Sequence, residues 1–364
     1  MTRLGMSASV LLGLAFLAPA ALGADTAKAK EATADDNDVP PPKRYVYSEE
    51  SVGKAFDHLW ETMDRQYSYF AHKKGVDWKA LKEKYRPRAV KAKSAAELAK
   101  VLRELLAHLE DLHVWIETSH EQIGTFSRPY QANWKRGAAL ALLEEKTDCS
   151  FAVAGKTRED GFGYFLMVQQ SAANDNNVRH AITALEKLHD TPGFIVDLRS
   201  ANGGDERKAQ QIARLFCGTE VVYAKSKYRD GHGHGDFTRE YERLLKPVEK
   251  PYLKPVVCLI GPGAVSSGEG FVQMLKCLPH VTTVGMRTRG ASGNPQPEEL
   301  PGTGLTVWFS RWVDLMPDGS AFEGVGITPD VTVDLSPENY ARTDPTLEKG
   351  LEVLKQKVKA SEKK

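Results

Sequence analysis

The chain has 364 residues, 41% of them hydrophobic, enough to bury a sizeable core in one large domain or two modest ones. Its 49 lysines and arginines nearly cancel its 48 aspartates and glutamates, so the balance offers no basic footprint for a nucleic-acid partner and no steering field of one sign. The four cysteines, Cys149, Cys217, Cys258 and Cys277, lie far apart with no C-x-x-C pair, which excludes the spacing of a structural zinc site.

Residues 1–24 begin Met1-Thr2-Arg3, continue through an apolar run at 10–22 and end in small residues, the layout of a secretory signal peptide. The run is short for a bilayer span and no stop-transfer cluster follows it. The expectation is a chain exported to the periplasm or the extracellular space without a membrane anchor, where a disulfide is permitted but not required. Residues 25–44 mix Ala, Lys and Asp with a Pro triplet and no apolar period, and read as a disordered linker.

Structure is expected from residue 45. Val52, Ala55, Phe56, Leu59, Trp60, Met63 and Tyr67 recur at helical spacing. A second helix starts at Ser94, whose capping box reaches Glu97, and shows an apolar face of Leu98, Val101, Leu102, Leu105 and Leu109. Residues 45–120 therefore read as an N-terminal helical subdomain. From Tyr164 the pattern changes. Strand-like runs at 164–168, 193–198, 255–260 and 281–285 alternate with helical segments at 177–188, at 207–216 and after Ser266, which argues for right-handed β-α-β units. Short strands at 305–310 and 331–333 and a helix at 345–354 follow. The α/β core is placed at 121–355 and a charged, solvated tail at 356–364.

Three stretches carry candidate chemistry. In "GAVSSGEG", residues 263–270, Ser266 and Glu269 spell a capping box, so local spacing fits a helix cap as well as a nucleophile. In "DLRSANGGD", residues 197–205, a buried strand runs into a helix, and Gly203 and Gly204 allow a turn that presents N–H groups to an oxyanion. In "DGHGHGDF", residues 230–237, His232 and His234 alternate as metal ligands can, but the flanking glycines read as an exposed loop and no metal is expected.

Taken in order, "FDHLWETMDRQYSYF", "GVDWKAL", "LLAHLEDLHVWI", "GFIVDLRSANGG", "PVVCLIGPGAVSSGEGF", "VGMRTRGASGNP" and "DGSAFEGVGITPDVTV" resemble one family, the C-terminal processing or tail-specific serine peptidases together with the tricorn core, family S41. The resemblance covers most of the chain after residue 44. It implies a crotonase-like β/α spiral core with a helical N-terminal subdomain, and Ser266 as the nucleophile. Where the processing branch carries a lysine base, this chain has Ala291, which accepts no proton, and the nearby Arg289 stays protonated. The tricorn-like branch uses histidine, and its pattern falls on His113, whose imidazole suits a base because its unperturbed pKa is about 6.5. The acid of that branch falls on Glu323, and the relay serine of the pattern is here Leu112. Glu323 then contacts His113 directly, Asp111 replaces it as the orienting acid, or a water intervenes.

The resemblance implies an oxyanion hole built from the Ser267 N–H and an N–H of Gly203 or Gly204, with Glu269 left to capping. Only about 50 residues separate His113 from the strand at Tyr164, fewer than a PDZ module needs on the usual domain scale, so none is expected. These features imply an exported serine endopeptidase that acts on peptides or proteins through an acyl-enzyme and needs no cofactor. The same fold in interphotoreceptor retinoid-binding proteins carries apolar ligands, and such a carrier is the alternative reading.

Overall fold

In the seven-stranded sheet, strands near its middle are buried at every position, as expected where helices cover both faces. The computed structural model describes residues 45–363; the expected signal peptide and linker lie outside the described residues.

The chain opens with three helices, α1 (Glu49–Gln66), α2 (Trp78–Ala89) and α3 (Ala95–Ala107). Ser48 and Ser51 close a reciprocal capping box on α1, and Asp77 caps α2. At α3 the Ser94 hydroxyl accepts from Glu97 N–H at 3.2 Å, but the Glu97 carboxylate reaches one residue further back, to Lys93 N–H at 2.9 Å. Strands β1 (Trp115–Glu117) and β2 (Gln122–Gly124) follow, then α4 (Arg136–Ala141), the hairpin β3 (Leu143–Asp148) and β4 (Ala152–Thr157), and β5 (Gly163–Met167). The β-α succession is α5 (Asp175–Glu186), β6 (Phe194–Asp197), α6 (Glu206–Ala213), β7 (Val221–Tyr228), β8 (Tyr241–Leu245), β9 (Val256–Ile260), α7 (Ser267–Lys276) and β10 (Val281–Gly285). Strands β11 (Pro295–Leu300), β12 (Leu305–Ser310), β13 (Trp312–Leu315) and β14 (Val331–Thr332) precede α8 (Pro337–Arg342) and α9 (Pro345–Ser361).

The large sheet has the order β14-β10-β9-β6-β5-β4-β3, parallel from β14 to β5 and antiparallel beyond. Helices α5, α6 and α7 pack on one face against Phe165, Val196, Cys258 and Ile260. On the other face, Leu347, Leu354 and Val358 of α9 pack against Ile195, Val257 and Leu259. Helix α9 therefore continues through residues read as a charged tail, because burial of Val358 on the sheet favours one further turn.

The N-terminal helices do not close a core by themselves. Phe56, Leu59, Met63, Leu102 and Leu105 share one apolar cluster with Leu300, Leu305, Val307 and Phe309, some two hundred residues later in the chain. Those strands belong to a four-stranded antiparallel sheet of order β11-β12-β1-β2, in which Ile116 lies opposite Val307. A smaller sheet, β13-β7-β8, completes the fold.

Two loops leave the C-terminal ends of neighbouring strands β6 and β9, where the open edge of a parallel sheet offers room for a site. The first is locked from below. Arg199, fully buried, forms paired hydrogen bonds to Asp197 at 2.9 and 2.7 Å and reaches Asp344, the N-cap of α9, at 2.6 Å. Removing one partner from such a buried network costs about 3–5 kcal/mol, because the remaining charge stays in the interior unpaired. All four cysteines are free thiols; Cys258 is buried in β9 and Cys277 is the half-buried C-cap of α7.

Candidate active site

Ser266 stands between β9 and α7 with φ 58° and ψ −129°, a backbone conformation sparsely populated by residues that carry a Cβ. A capping hydroxyl needs an extended backbone at its residue, and this one makes no cap hydrogen bond. The Ser266 carbonyl instead accepts from the N–H groups of Glu269 at 2.8 Å and Gly270 at 3.1 Å. The capping box expected from the spacing is thus not formed, and the Ser266 side chain is left free of its own helix.

The two loops at the sheet edge lean on each other. Val265 N–H donates to Ala201 O at 3.0 Å, and Ser267 Oγ donates to Gly204 O at 2.6 Å. Gly203, at φ 83°, lies so close that a Cβ there would stand 2.9 Å from Ser266 Cβ and 3.5 Å from its Oγ. Gly204, at φ 132°, would press a Cβ to 2.9 Å from Ser171 Cα. Both positions therefore need glycine for conformation and for space. Among the described residues, the N–H groups of Gly203, Gly204 and Ser267 donate no hydrogen bond.

Residues 288–292 run alongside this turn. Ser266 N–H donates to Ala291 O at 2.8 Å, and Arg289 N–H donates to Ala264 O at 2.9 Å. Glu269, fully buried, accepts from Thr288 Oγ1 at 2.5 Å and from the N–H groups of Gly290 and Ala291 at 2.8 Å each. It fastens this segment in place of capping α7. Burial pushes its carboxyl up to about 7 despite the three donors.

His113 lies between α3 and β1 in a turn built on Asp111. The Asp111 Oδ1 accepts from His113 N–H at 2.7 Å, while its Oδ2 accepts from Tyr67 OH at 2.9 Å and Ser310 Oγ at 2.8 Å. Hydroxyls thus reach Asp111 from remote parts of the chain, where Leu112 has none to offer. The imidazole is 7% exposed, its Nδ1 is enclosed without a partner, and burial lowers its pKa against the opposing pull of Asp111.

Glu323 comes from the loop after β13. Its Oε2 accepts from Ser292 N–H at 3.1 Å, and its Oε1 is enclosed with no partner. Burial first, and the Asp111 charge second, raise this carboxyl well above the ordinary range.

No hydrogen bond joins the His113 ring to Ser266 Oγ or to Glu323; the residues are linked through their supports. Ser266 is anchored to Ala291, Glu323 to Ser292, and a Cβ on the next residue, Gly293, would collide with Ser310, which holds Asp111 and through it the His113 turn. Ser292 is fixed in turn, its carbonyl accepting from Tyr69 OH at 2.5 Å and its hydroxyl donating to Asp314 at 2.5 Å.

Sequence reasoning missed Tyr67, Tyr69, Ser292, Ser310 and Asp314 as supports, and misassigned Glu269. Tyr67 lies in the apolar period of α1 and carries the same signal as a core residue; the others show no local pattern. The His232 and His234 loop is docked: His234 Nε2 lies 2.8 Å from Asp64 Oδ1, and its ring stacks on Phe70 at 4.3 Å. Among the described residues, no group of three or more His, Cys, Asp or Glu side chains is placed to hold a metal ion.

Residues 161–333 match the model of peptidase family S41, and residues 48–107 match that of the tricorn protease C1 domain. A carboxy-terminal-processing protease from Bartonella bacilliformis is 26% identical over 200 residues, 53% of this chain and 44% of that protein. A tricorn protease from Thermoplasma volcanium is 28% identical over 171 residues, 44% of this chain and 14% of that protein. The chain thus spans less than half the length of either of these relatives. The crystal structure of a candidate peptidase from Parabacteroides merdae is similar with a TM-score of 0.72 and 27% identity, covering 84% of this chain and 96% of that one.

Proposed function

We propose, for a chain that belongs to peptidase family S41, that it is an exported serine endopeptidase with Ser266 as nucleophile and His113 as base. The observation that carries this reading is the backbone of Ser266. Strain of about 1–3 kcal/mol at a residue bearing a Cβ persists only where its surroundings impose it, and here it keeps the hydroxyl out of the helix cap at the mouth of a parallel sheet.

In this mechanism Ser266 Oγ attacks a peptide carbonyl carbon while His113 takes the hydroxyl proton. The carbonyl oxygen becomes an oxyanion, received by the unengaged N–H groups of Gly203 or Gly204 and of Ser267 at the positive end of α7. Collapse of the tetrahedral species breaks the C–N bond, His113 gives its proton to the departing amine, and water then hydrolyses the acyl-serine. Glu323 orients this network. Its carboxyl is biased toward the neutral form at rest, and a positive charge growing on His113 favours its carboxylate. Asp111, with its three donors, holds the turn that carries His113. The succession from β5 to β10 is read as the spiral of crotonase-like proteins, and residues 1–24 as the export signal.

The deciding experiment is labelling with a fluorophosphonate, which phosphonylates an activated serine. Intact-mass analysis should show one adduct on the native chain and none on Ser266→Ala. An unlabelled native chain that is folded would remove the nucleophile assignment and favour the carrier alternative.

A further inference from the structure

Beside the serine turn lies a cavity of about 550 Å³ lined by three arginines, Arg128, Arg287 and Arg289. Its backbone is continuous with the site: Pro262 in its wall precedes Ser266 by four residues, and Arg289 precedes Ala291 by two. Arg128 spans the two strips that carry the proposed acid and the serine's anchor, donating to Gly324 O at 3.0 Å and to Gly290 O at 3.2 Å.

The side chain of Arg289 is the unusual element. It retains 9% exposure, its guanidinium forms no ion pair, and its Nη1 is enclosed with no hydrogen-bond partner. Its one close companion is the ring of Tyr130, over which the guanidinium carbon sits at 4.2 Å. Glu269, the buried carboxylate nearest in charge, is occupied by Thr288, Gly290 and Ala291. The acid on the cavity wall, Asp334, is exposed and forms no ion pair with these arginines. Burial and the neighbouring Arg128 both work against the Arg289 charge. Guanidinium remains protonated at any ordinary pH, so a largely buried cation borders the cavity without an ion-pair partner. Such a group is costly in the free protein and becomes favourable when an anion arrives, above all a planar one that its fork of donors can grip in two places.

We infer that this cavity is a carboxylate-binding subsite, in which Arg289, helped by Arg128 and Arg287, receives a carboxylate of the peptide. Tyr130 and Val325 supply an apolar wall for the carbon chain that bears it. As a peptide subsite it rests on the peptidase reading, but the anion site itself does not. Two sources share this chemistry, the free C-terminus of a peptide and an acidic side chain within it.

The test uses the full chain and three probes: N-acetylalanine, which has only an α-carboxylate, N-acetylglutamic acid α-amide, which has only a side-chain carboxylate, and N-acetylalaninamide, which has neither. Dissociation constants are measured by NMR titration at one fixed low salt concentration. At least one acid should bind about tenfold or more tighter than the amide, and the acid preferred identifies the source. Arg289→Met should lose that advantage, with an unchanged or raised Tm because an unpaired charge has gone. Ser266→Ala should bind as the native chain does, so failure of the nucleophile assignment and failure of the subsite are told apart. Should Arg289→Met not fold, the exposed Arg287→Ala carries the test and should weaken the acid severalfold. Equal binding of acid and amide, no binding by any probe, or native affinity in the foldable arginine variants would overturn the inference.

Discussion

Two carboxylates meet residues 288–292, and they are satisfied differently. Glu269 gives its oxygens to three donors of the segment, is wholly enclosed and ties Thr288, Gly290 and Ala291 to α7. Glu323 accepts one N–H, from Ser292, and keeps an enclosed oxygen with no partner. Burial is the main cause that raises the pKa of both; for Glu323 the Asp111 charge comes second, whereas for Glu269 three hydrogen bonds oppose the rise and the push of Asp314 comes after them. The difference is the ground for giving the two acids separate roles, Glu269 holding the fold and Glu323 proposed for the chemistry. A carboxylate whose lone pairs are all taken by the fold has none free for a new partner, whereas an enclosed oxygen without one can still accept a further donor.

The largest effect is expected at the serine that both acids help to frame. Ser266→Ala should abolish fluorophosphonate labelling and peptide hydrolysis with an unchanged Tm, because the hydroxyl makes no cap bond to lose. Ser266→Gly should be equally inactive but more stable, by about 1 kcal/mol, since glycine accepts a positive φ without strain. A fall in Tm of several degrees in Ser266→Ala would show that the hydroxyl is structural after all.

At Glu269 the expected loss is of stability. Glu269→Ala strands two backbone N–H groups and a buried hydroxyl, and should cost about 3 kcal/mol or more in urea unfolding, with activity falling as the anchor of Ser266 loosens. The pH dependence checks the same residue. Its folded-state pKa, about 7, lies above the unfolded value of 4.5, so its contribution is fully present below 4.5 and is lost as pH rises through 7. That is about 3 kcal/mol across the window. Glu323 and Asp314, also raised by burial, contribute slopes of the same sign, so Glu269→Gln should reduce the slope without abolishing it, and a slope unchanged in that variant would contradict the assignment.

At Glu323 the loss should be catalytic. Glu323→Gln is expected to lower turnover by about 10² at alkaline pH with unchanged Tm and peptide affinity, on the scale of an orienting acid. The raised pKa of Glu323 makes the deficit depend on pH: while the native group is still protonated the amide resembles it, so the ratio of native to variant should grow as pH rises. The native rate should itself fall only below the ordinary histidine range, because burial lowers the pKa of His113. Asp111→Asn is expected to reduce turnover much less, and the opposite order would move the acid role to Asp111.

The smallest effect belongs to Ser267→Ala. Its hydroxyl ties the two loops through Gly204 O at 2.6 Å, a bond worth about 0.5–1.5 kcal/mol, while its N–H is untouched. Full hydrolysis with a slight fall in Tm is the expected result.

Periodicity and turn chemistry sufficed for the α/β succession, because an apolar run between a glycine turn and an amphipathic segment has few other ways to bury itself. Strands β5, β6, β9 and β10 fall within a residue or so of their runs. Ser266 and the Gly203–Gly204 turn were legible for the same reason, since each sits where a buried strand must reverse into a helix. Hairpin β3-β4 and strands β7 and β8 were not, because a register shift in each ladder breaks the two-residue alternation, and β13 was not, because it pairs with β7 from far along the chain. The long-range decisions belong to the tertiary structure: that α1 to α3 bury their apolar faces against β11 and β12, that Glu269 turns from the cap of α7 toward residues 288–291, and that Arg289 is largely buried without an ion-pair partner. Local spacing records which groups a residue can reach along its own helix or strand. Which donors arrive from two hundred residues away, and which buried charges are left without one, is set only when the layers close.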